Sequence, residues 1–461
     1  MPQPTKAFML AATHSGAGKT TITLGLLAAL RRQGLAVQPF KCGPDFIDPT
    51  LHQMVSGSVS RNLDLRMCGR KYVLDAFQRH AAEADISVVE GVMGLFDGGI
   101  ASPAALAKTL GVPVILVADA QGCAESMAAV VKGFESLDPE LHLLGVIFNR
   151  VGSPRHLELL TTAVQAGCRT PVLGCLPRRQ EFRIPDRHLG LMMGTESPLT
   201  DQQLNLLAET VAENIDIDAI LRLATLPRAS VQPMYPEPPF GDELRRREHG
   251  LDTPTEETRP RIGIARDEAF CFYYQDNLDL LEAYGAELVE FSPLHDAALP
   301  PALDGLYLGG GYPELHGQAL AANQSMLTAI KAWSAAGRPL YAECGGFIYL
   351  CQGVFDLEGE FWPLAAVFPT RARMGQRLAR LGYREASIVG PCLLGDSGQL
   401  FGHEFHYSAI EEMPAGVDRV YRLQDGQAEG FSINNTLAGY LHLHFGQTPA
   451  AAQYFVDLCR P

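Results

Sequence analysis

The chain has 461 residues, 47% hydrophobic and 19% charged. This is a globular composition too long for one ordinary core, so two or three domains are expected. A formal net charge of −15 argues against a general nucleic-acid or membrane-surface binder, which would be basic. Ten scattered cysteines without a C-x-x-C pair fit a reducing cytoplasm and leave no zinc or disulfide framework; no apolar run approaches the ~20 residues that span a bilayer.

Met1–Leu10 holds a short apolar run that leads into a glycine-rich loop, so it reads as a first strand and not as a signal peptide. Ala7–Ala12, Ala36–Phe40, Ile86–Glu90, Val114–Ala118, Leu144–Asn149 and Val172–Leu176 are apolar enough to be parallel strands covered on both faces. Gly18–Arg31, Lys71–Ala84, Ser126–Glu135 and His156–Ala166 fit the helices between them. The pattern is doubly wound α/β over residues 1–225. A stretch at 226–260 holds seven prolines from Pro227 to Pro260 and the charged run Asp242–His249, and reads as an exposed linker. Residues 261–461 then open a second α/β domain with strands at Arg261–Ala265, Glu287–Phe291, Gly305–Leu308 and Pro339–Ala342.

The loop His14–Thr21 (HSGAGKTT) follows a strand and opens a helix, the context a phosphate-binding loop requires. Gly16 and Gly18 let backbone N–H groups approach phosphate oxygens, Lys19 reaches the outer phosphates, Thr20 can hold Mg²⁺, and Thr21 continues the helix start. Thr13 stands where the usual motif has its first glycine. Glu90 ends a buried strand where its carboxylate can reach that Mg²⁺. With Asp45, Asp48 and Asp97 it makes four acids near strand ends, a metal and substrate cluster. Asn149, also at a strand end, could read an adenine edge. Arg61, in Arg61–Arg66, could pair bidentately with a carboxylate.

In the second half, Cys344 lies between a strand and a helix in Tyr341–Phe347 (YAECGGF). Such an elbow exposes the thiol, and Gly345 and Gly346 permit its geometry. Gly309–Gly311 follow another strand, and backbone N–H groups there could form an oxyanion hole. His442 and His444 face the same side of a strand, and either could activate Cys344. Gly402–Ser408 (GHEFHYS) is not H-E-x-x-H and reads as structural or as a domain interface.

These segments, in this order along nearly the whole chain, resemble the cobyrinate a,c-diamide synthase family of glutamine-dependent amidases. The string Val89–Gly98 (VEGVMGLFDG) is its most specific part. The resemblance implies a dethiobiotin synthetase-like P-loop domain followed by a class I glutamine amidotransferase domain. It implies Cys344 as the nucleophile, with His442 preferred as base because it matches the family's Y-x-H pattern; His444 stands where many class I enzymes have a glutamate. Gly310, Gly311 and Gly345 would bind the glutamine oxyanion. Thr20, Asp45 and Glu90 become the Mg²⁺ candidates, and Asp48 and Asp97, with Arg61, the substrate and intermediate candidates.

The implied reaction is ATP- and glutamine-dependent amidation of the a and c acetate carboxylates of cobyrinate in cobalamin biosynthesis, through an acyl phosphate trapped by ammonia. Sirohydrochlorin, nickel-sirohydrochlorin and hydrogenobyrinate are used by similar proteins and stand as alternatives. The partners implied are glutamine and a corrinoid or related tetrapyrrole carboxylate, with no nucleic acid and no membrane. A nucleotide-dependent switch is the competing class. His14 in place of the signature lysine of such switches, and the Cys344 elbow, count against it.

Overall fold

The computed structural model describes residues 6–182, 184, 186–187, 190–196, 199–225 and 259–460. Two compact units divide the chain, Met1–Met234 and Tyr235–Pro461. The linker expected at 226–260 lies, save its last two residues, outside the described residues.

In the first unit, β1 (Ala7–Ala12), β2 (Val37–Cys42), β3 (Arg61–Leu63), β4 (Ile86–Gly94), β5 (Val114–Asp119), β6 (Leu143–Val151) and β7 (Val172–Pro177) form one sheet. All neighbours are parallel, in the order β3-β2-β4-β1-β5-β6-β7. Every residue of β1 is buried. Phe8, Leu10 and Ala12 join a core with Ile22 and Leu26 of helix α1 (Lys19–Arg32) and Leu207 and Val211 of helix Asp201–Asn214. Ala7, Met9 and Ala11, which point to the other face, are equally buried. A strand covered on both sides cannot alternate in polarity, which explains its continuous apolar sequence.

β1 runs on to β2 on one side of the sheet, and β4 to β5 on the other. The switch falls between β4 and β1, where open α/β sheets bind ligands beyond their strand ends. β4 continues past the expected Glu90 to Gly94, so Glu90 lies inside the strand. Register sets Glu90 beside Leu10 of β1 and Lys41 of β2.

The second unit is built on a ten-stranded sheet. Glu287–Phe291, Arg261–Ala265, Gly305–Leu308, Leu340–Glu343 and Thr436–Gly439 are parallel in that order. Ala428–Ile433, Asp418–Leu423, Arg380–Ile388 and Gly398–His406 continue the sheet antiparallel, and His442–Leu443 pairs at its end. This antiparallel half goes beyond the strands expected from sequence. Arg380–Ile388 is half-exposed and carries Arg380, Arg384 and Glu385, so it has no apolar run to mark it. No described helix is long and apolar enough to cross a membrane.

Candidate functional site

The loop after β1 turns through Gly16 and Gly18, whose φ angles of 79° and 91° lie in the left-handed region. α1 starts at Lys19 with no side-chain cap, leaving its first N–H groups available to a phosphate. A cavity of about 500 Å³ opens beside the loop, lined by Gly16, Gly18, Lys19, Thr20 and Thr21, by Asn149 and Arg150 from β6, and by Leu176, Pro177 and Phe182. Asn149 Nδ2 donates to Ala17 O at 2.8 Å. A Cβ on Gly18 would sit 1.9 Å from that nitrogen, so the close approach needs glycine.

Lys19 Nζ donates to Met93 O at 2.5 Å. Burial holds its ammonium below the usual lysine range, with the Glu90 carboxylate opposing. Thr20 Oγ1 donates to Glu90 Oε1 at 2.8 Å, and His52 Nε2 meets Glu90 Oε2 at 2.7 Å.

Lys41, to which the spacing of the acids assigns no role, fills the centre of their cluster. Its Nζ bonds the Asp48 carboxylate and lies 3.3 Å from Glu90 Oε1 and 3.7 Å from Asp45 Oδ2. Burial would lower its pKa, but Asp48, Glu90 and Asp45 overcome this and leave it well above the ordinary value. Burial would raise the Glu90 carboxyl, but the same ammonium, with His52 and Thr20, holds it well below the usual range. An ammonium ending a buried strand is itself a signal, because lysine is almost never fully buried unless paired. Asp45 Oδ1 accepts from the N–H groups of Ile47 and Asp48, and Asn62 pins this loop through Gly43 O and Asp45 O. Asp97 is exposed, with Oδ2 accepting from Gly94 N at 2.9 Å. Arg61 begins the edge strand β3, half-buried beside Phe40.

Among the described residues the carboxyl groups of Asp45, Asp48, Glu90 and Asp97 outnumber the Lys19 and Lys41 ammonium groups and the His52 imidazole beside Glu90. That leaves negative charge which a divalent cation would balance. Among the described residues no group of three or more His, Cys, Asp or Glu makes a metal cage by itself. A phosphate-bound Mg²⁺ needs only one or two protein oxygens, and those of Thr20 and Glu90 fit that demand.

In the second unit Cys344 takes φ 48° and ψ −100° between strand Leu340–Glu343 and helix Gly345–Leu350. This is a sparsely populated conformation for a residue with a Cβ, and such strain gathers at reactive sites. Gly346 allows it, since a Cβ there would lie 2.3 Å from Leu308 O. Burial pushes the Cys344 thiol up, Glu314 adds to the rise, and the Gly345 N–H opposes it. Burial also drives His442 well below the usual imidazole range, with His403 and His406 adding.

Gly310 has no Cβ to strike the His442 ring, which would otherwise lie 2.4 Å away. Its N–H donates to Phe272 O at 3.2 Å, so that donor is occupied within the fold. Helix Gln275–Ala283 holds the histidine segment. Asn277 donates to Leu443 O at 2.7 Å and accepts from Phe445 N at 2.8 Å. His444 Nε2 faces Asp276 Oδ2 at 3.6 Å, and its Nδ1 accepts from Gly446 N at 3.0 Å. His403 stacks on His442 with ring centroids 5.1 Å apart. Asn277 and Glu343, like Lys41, escape a reading of the sequence alone. Their contacts join segments far apart in the chain, and no local pattern marks them.

Residues 8–191 match the CobQ/CobB/MinD/ParA nucleotide binding domain, and residues 261–450 match the CobB/CobQ-like glutamine amidotransferase domain. The cobyrinate a,c-diamide synthase of Salmonella typhimurium is 44% identical over 466 residues, covering 98% of each chain. That of Syntrophotalea carbinolica is 45% identical with the same coverage. That of a Synechocystis species is 41% identical over 98% of this chain and 93% of its own. The fold class expected from the sequence, a P-loop domain followed by a glutamine amidotransferase domain, holds. With a phosphate-loop unit, a cysteine-elbow unit and full-length identity to these enzymes, the chain belongs to the cobyrinate a,c-diamide synthase family of glutamine-dependent amide ligases.

Proposed function

We propose that this chain uses ATP and glutamine-derived ammonia to amidate the a and c acetate side chains of cobyrinate. The observation that carries the reading is a phosphate loop ringed by acids and a strained Cys344 elbow in one polypeptide, similar along its length to proteins named for that reaction.

In the amidotransferase unit the resting pair is a neutral thiol and a neutral imidazole, because burial raises one and lowers the other. Cys344 is therefore activated only as it attacks. Sγ bonds to the side-chain amide carbon of glutamine while its proton passes to His442. The oxyanion takes N–H donors from Gly311 and Gly345, since Gly310 is engaged with Phe272. His442 returns the proton to the departing nitrogen, ammonia leaves, and water hydrolyses the glutamyl thioester to glutamate.

In the synthetase unit a substrate carboxylate oxygen attacks the γ-phosphorus of ATP and ADP departs. Ammonia then displaces phosphate from the acyl phosphate to leave the amide. Lys19 and the loop N–H groups orient and neutralise the phosphoryl oxygens, and the site works by position and field. Thr20 and Glu90 would hold Mg²⁺, which would supply charge neutralisation to the phosphoryl oxygens. Asp45 joins them as a candidate ligand. Lys41 fixes Asp48 and Glu90 and helps keep the Glu90 carboxylate ionised, while burial and the neighbouring Asp45 push the Asp48 carboxyl well above the usual range. Asp48 in the first turn of helix Ile47–Ser56, Asp97 in the turn after β4 and Arg61 at the start of the edge strand β3 are assigned to substrate and intermediate. Asn149 and Arg150 share the cavity wall with Leu176 and Pro177, which supports placing the nucleoside there.

The test is incubation of cobyrinate with ATP, Mg²⁺ and glutamine, followed by mass spectrometry. Two successive acid-to-amide mass shifts support the proposal, and an unchanged substrate overturns it.

A further inference from the structure

Two consecutive carbonyls of the phosphate loop are tied back to two consecutive residues at the end of β6. Arg150 Nη2 donates to Gly16 O at 3.0 Å, and Asn149 Nδ2 donates to Ala17 O at 2.8 Å. A trans peptide points its C=O and its following N–H in opposite directions. Holding the Gly16 carbonyl toward Arg150 therefore turns the Ala17 N–H away from it. Holding the Ala17 carbonyl toward Asn149 does the same to the Gly18 N–H. Neither N–H has an acceptor among the described residues.

The support behind this pair is itself built. Arg150 takes φ 58°, a left-handed conformation that costs a residue with a Cβ, and is held there by its bond to the Asp119 carboxylate. Asp119 ends β5, the neighbour of β6, and its other oxygen accepts from Gln121 N at 2.9 Å. Gly18 has no Cβ because Asn149 occupies that space. The loop also starts at Thr13, where the usual motif has a glycine, and Thr13 N is fixed to Val117 O of β5 at 3.0 Å.

We infer that Asn149 and Arg150, backed by Asp119, form a clamp that presets the phosphate loop by fixing the Gly16 and Ala17 carbonyls, so that the Ala17 and Gly18 N–H groups face a bound polyphosphate. Both are positioning residues in this role. The clamp rests on the nucleotide-binding reading of the first unit and gives Asn149 a task other than reading the base. Its energetic effect is preorganisation: the donors are aimed before the anion arrives, so binding does not have to order them.

A clamp and a base reader respond differently to ligands that lack a base. Equilibrium binding of ATP, GTP and inorganic tripolyphosphate, each with Mg²⁺, is measured on the full chain and on Arg150→Ala, Arg150→Lys and Asp119→Asn. A clamp predicts that Arg150→Ala weakens all three ligands by the same factor, about 10- to 100-fold for a lost charged hydrogen bond. Arg150→Lys keeps the charge but cannot span Asp119 and Gly16, so it falls with Arg150→Ala. Asp119→Asn, which leaves the guanidinium in place, shows a smaller loss of the same even pattern and guards against misfolding of the arginine variants. Amide exchange at Ala17 and Gly18 in the ligand-free chain is faster in Arg150→Ala. Unchanged tripolyphosphate affinity in Arg150→Ala, or a loss confined to ATP, overturns the clamp while leaving nucleotide binding intact. A wild-type chain that binds neither ATP nor tripolyphosphate removes the nucleotide reading itself, and the clamp with it.

Discussion

Glu343 Oε2 lies 4.0 Å from His442 Nδ1. The residue that precedes the nucleophile in the chain thus sits beside the base. Tyr341 and Tyr307 hydroxyls, at 2.6 and 3.1 Å, and the Leu443 N–H, at 3.0 Å, fix its carboxylate. This gives Glu343 the place that an acid two residues after the histidine would otherwise hold, where this chain has His444.

The first prediction follows from burial, which pushes the Glu343 carboxyl up to about 7. Above that value it is ionised and stabilises the imidazolium formed as Cys344 gives up its proton; below it, the carboxyl is neutral. Glutaminase turnover therefore rises with pH through about 7. Glu343→Gln flattens that limb and lowers kcat by about 10- to 100-fold, the scale for removing a buried charge close to the imidazolium. Stability carries the opposite sign. The raised carboxyl binds its proton more tightly in the folded state, so its contribution is full below 4.5 and lost as pH rises through about 7. The fall in Tm between about pH 5 and pH 8 should be smaller in Glu343→Gln than in the wild type. Identical pH–rate profiles for the two proteins would contradict the assignment.

Cys344→Ser should separate the two half-reactions. Glutamine-dependent amidation drops on the order of 10⁴-fold or more, as for loss of other catalytic nucleophiles. Amidation driven by added ammonium salt continues at the wild-type rate. Cys351 offers the control. It is equally buried and its thiol is also pushed up by burial, yet it lacks the positive φ of Cys344. Cys351→Ser should keep glutaminase activity. Retention of glutamine-dependent turnover in Cys344→Ser would show that the nucleophile is elsewhere.

Gly310→Ala brings a methyl group to 2.4 Å from His442 Cε1, so the ring must move. A displacement of this size at a reacting group costs about 100-fold in rate. The loss should appear in kcat for glutamine hydrolysis, with ammonia-driven synthesis preserved. Parallel assays with glutamine and with ammonium read it directly; an unchanged kcat with glutamine would mean that His442 is not the base.

Lys41→Met removes the cation that faces Asp48, Glu90 and Asp45. Breaking a buried pair in this way costs about 3–5 kcal/mol, because the remaining charges lose their partner. Thermal unfolding should report a lower Tm for the first unit, and ammonia-driven amidation should be lost. Lys41→Arg, too large for this enclosed position, should not rescue either property. Full synthesis with ammonia in Lys41→Met would remove Lys41 from the working site.

Local signals carry most of the first unit. β1 is read at its true ends because six consecutive buried residues lead into a glycine loop, and both features lie in one short stretch. β3 spans only three residues, too few for any periodicity, and goes unread. The acids Asp45, Asp48, Asp97 and Glu90 stand out as charges at apolar strand ends. Lys41 lies among them and draws no notice, because its importance comes from β2 lying next to β4 in the sheet. In the second unit the Cys344 elbow is legible from its glycines. The partner of His442 is less so, since sequence spacing points to His444 whereas the fold brings Glu343 within 4.0 Å of His442. The Gly310 N–H could be counted as free only while its pairing to Phe272 was unseen. The antiparallel strands Arg380–Ile388 and Asp418–Leu423 hide for a different reason: charged residues interrupt them, so they carry no apolar run.

The central claim is that glutamine nitrogen, released at Cys344, becomes the amide nitrogen on cobyrinate carboxylates activated by ATP. Incubation of the wild-type chain with cobyrinate, ATP, Mg²⁺ and glutamine labelled with ¹⁵N in its side-chain amide tests it most directly, with sirohydrochlorin and hydrogenobyrinate run in parallel. The account predicts a cobyrinate product carrying two ¹⁵N amides, formed only when ATP is present, and no label in the Cys344→Ser reaction. Unlabelled cobyrinate in the complete mixture, or label entering only another tetrapyrrole, would contradict it.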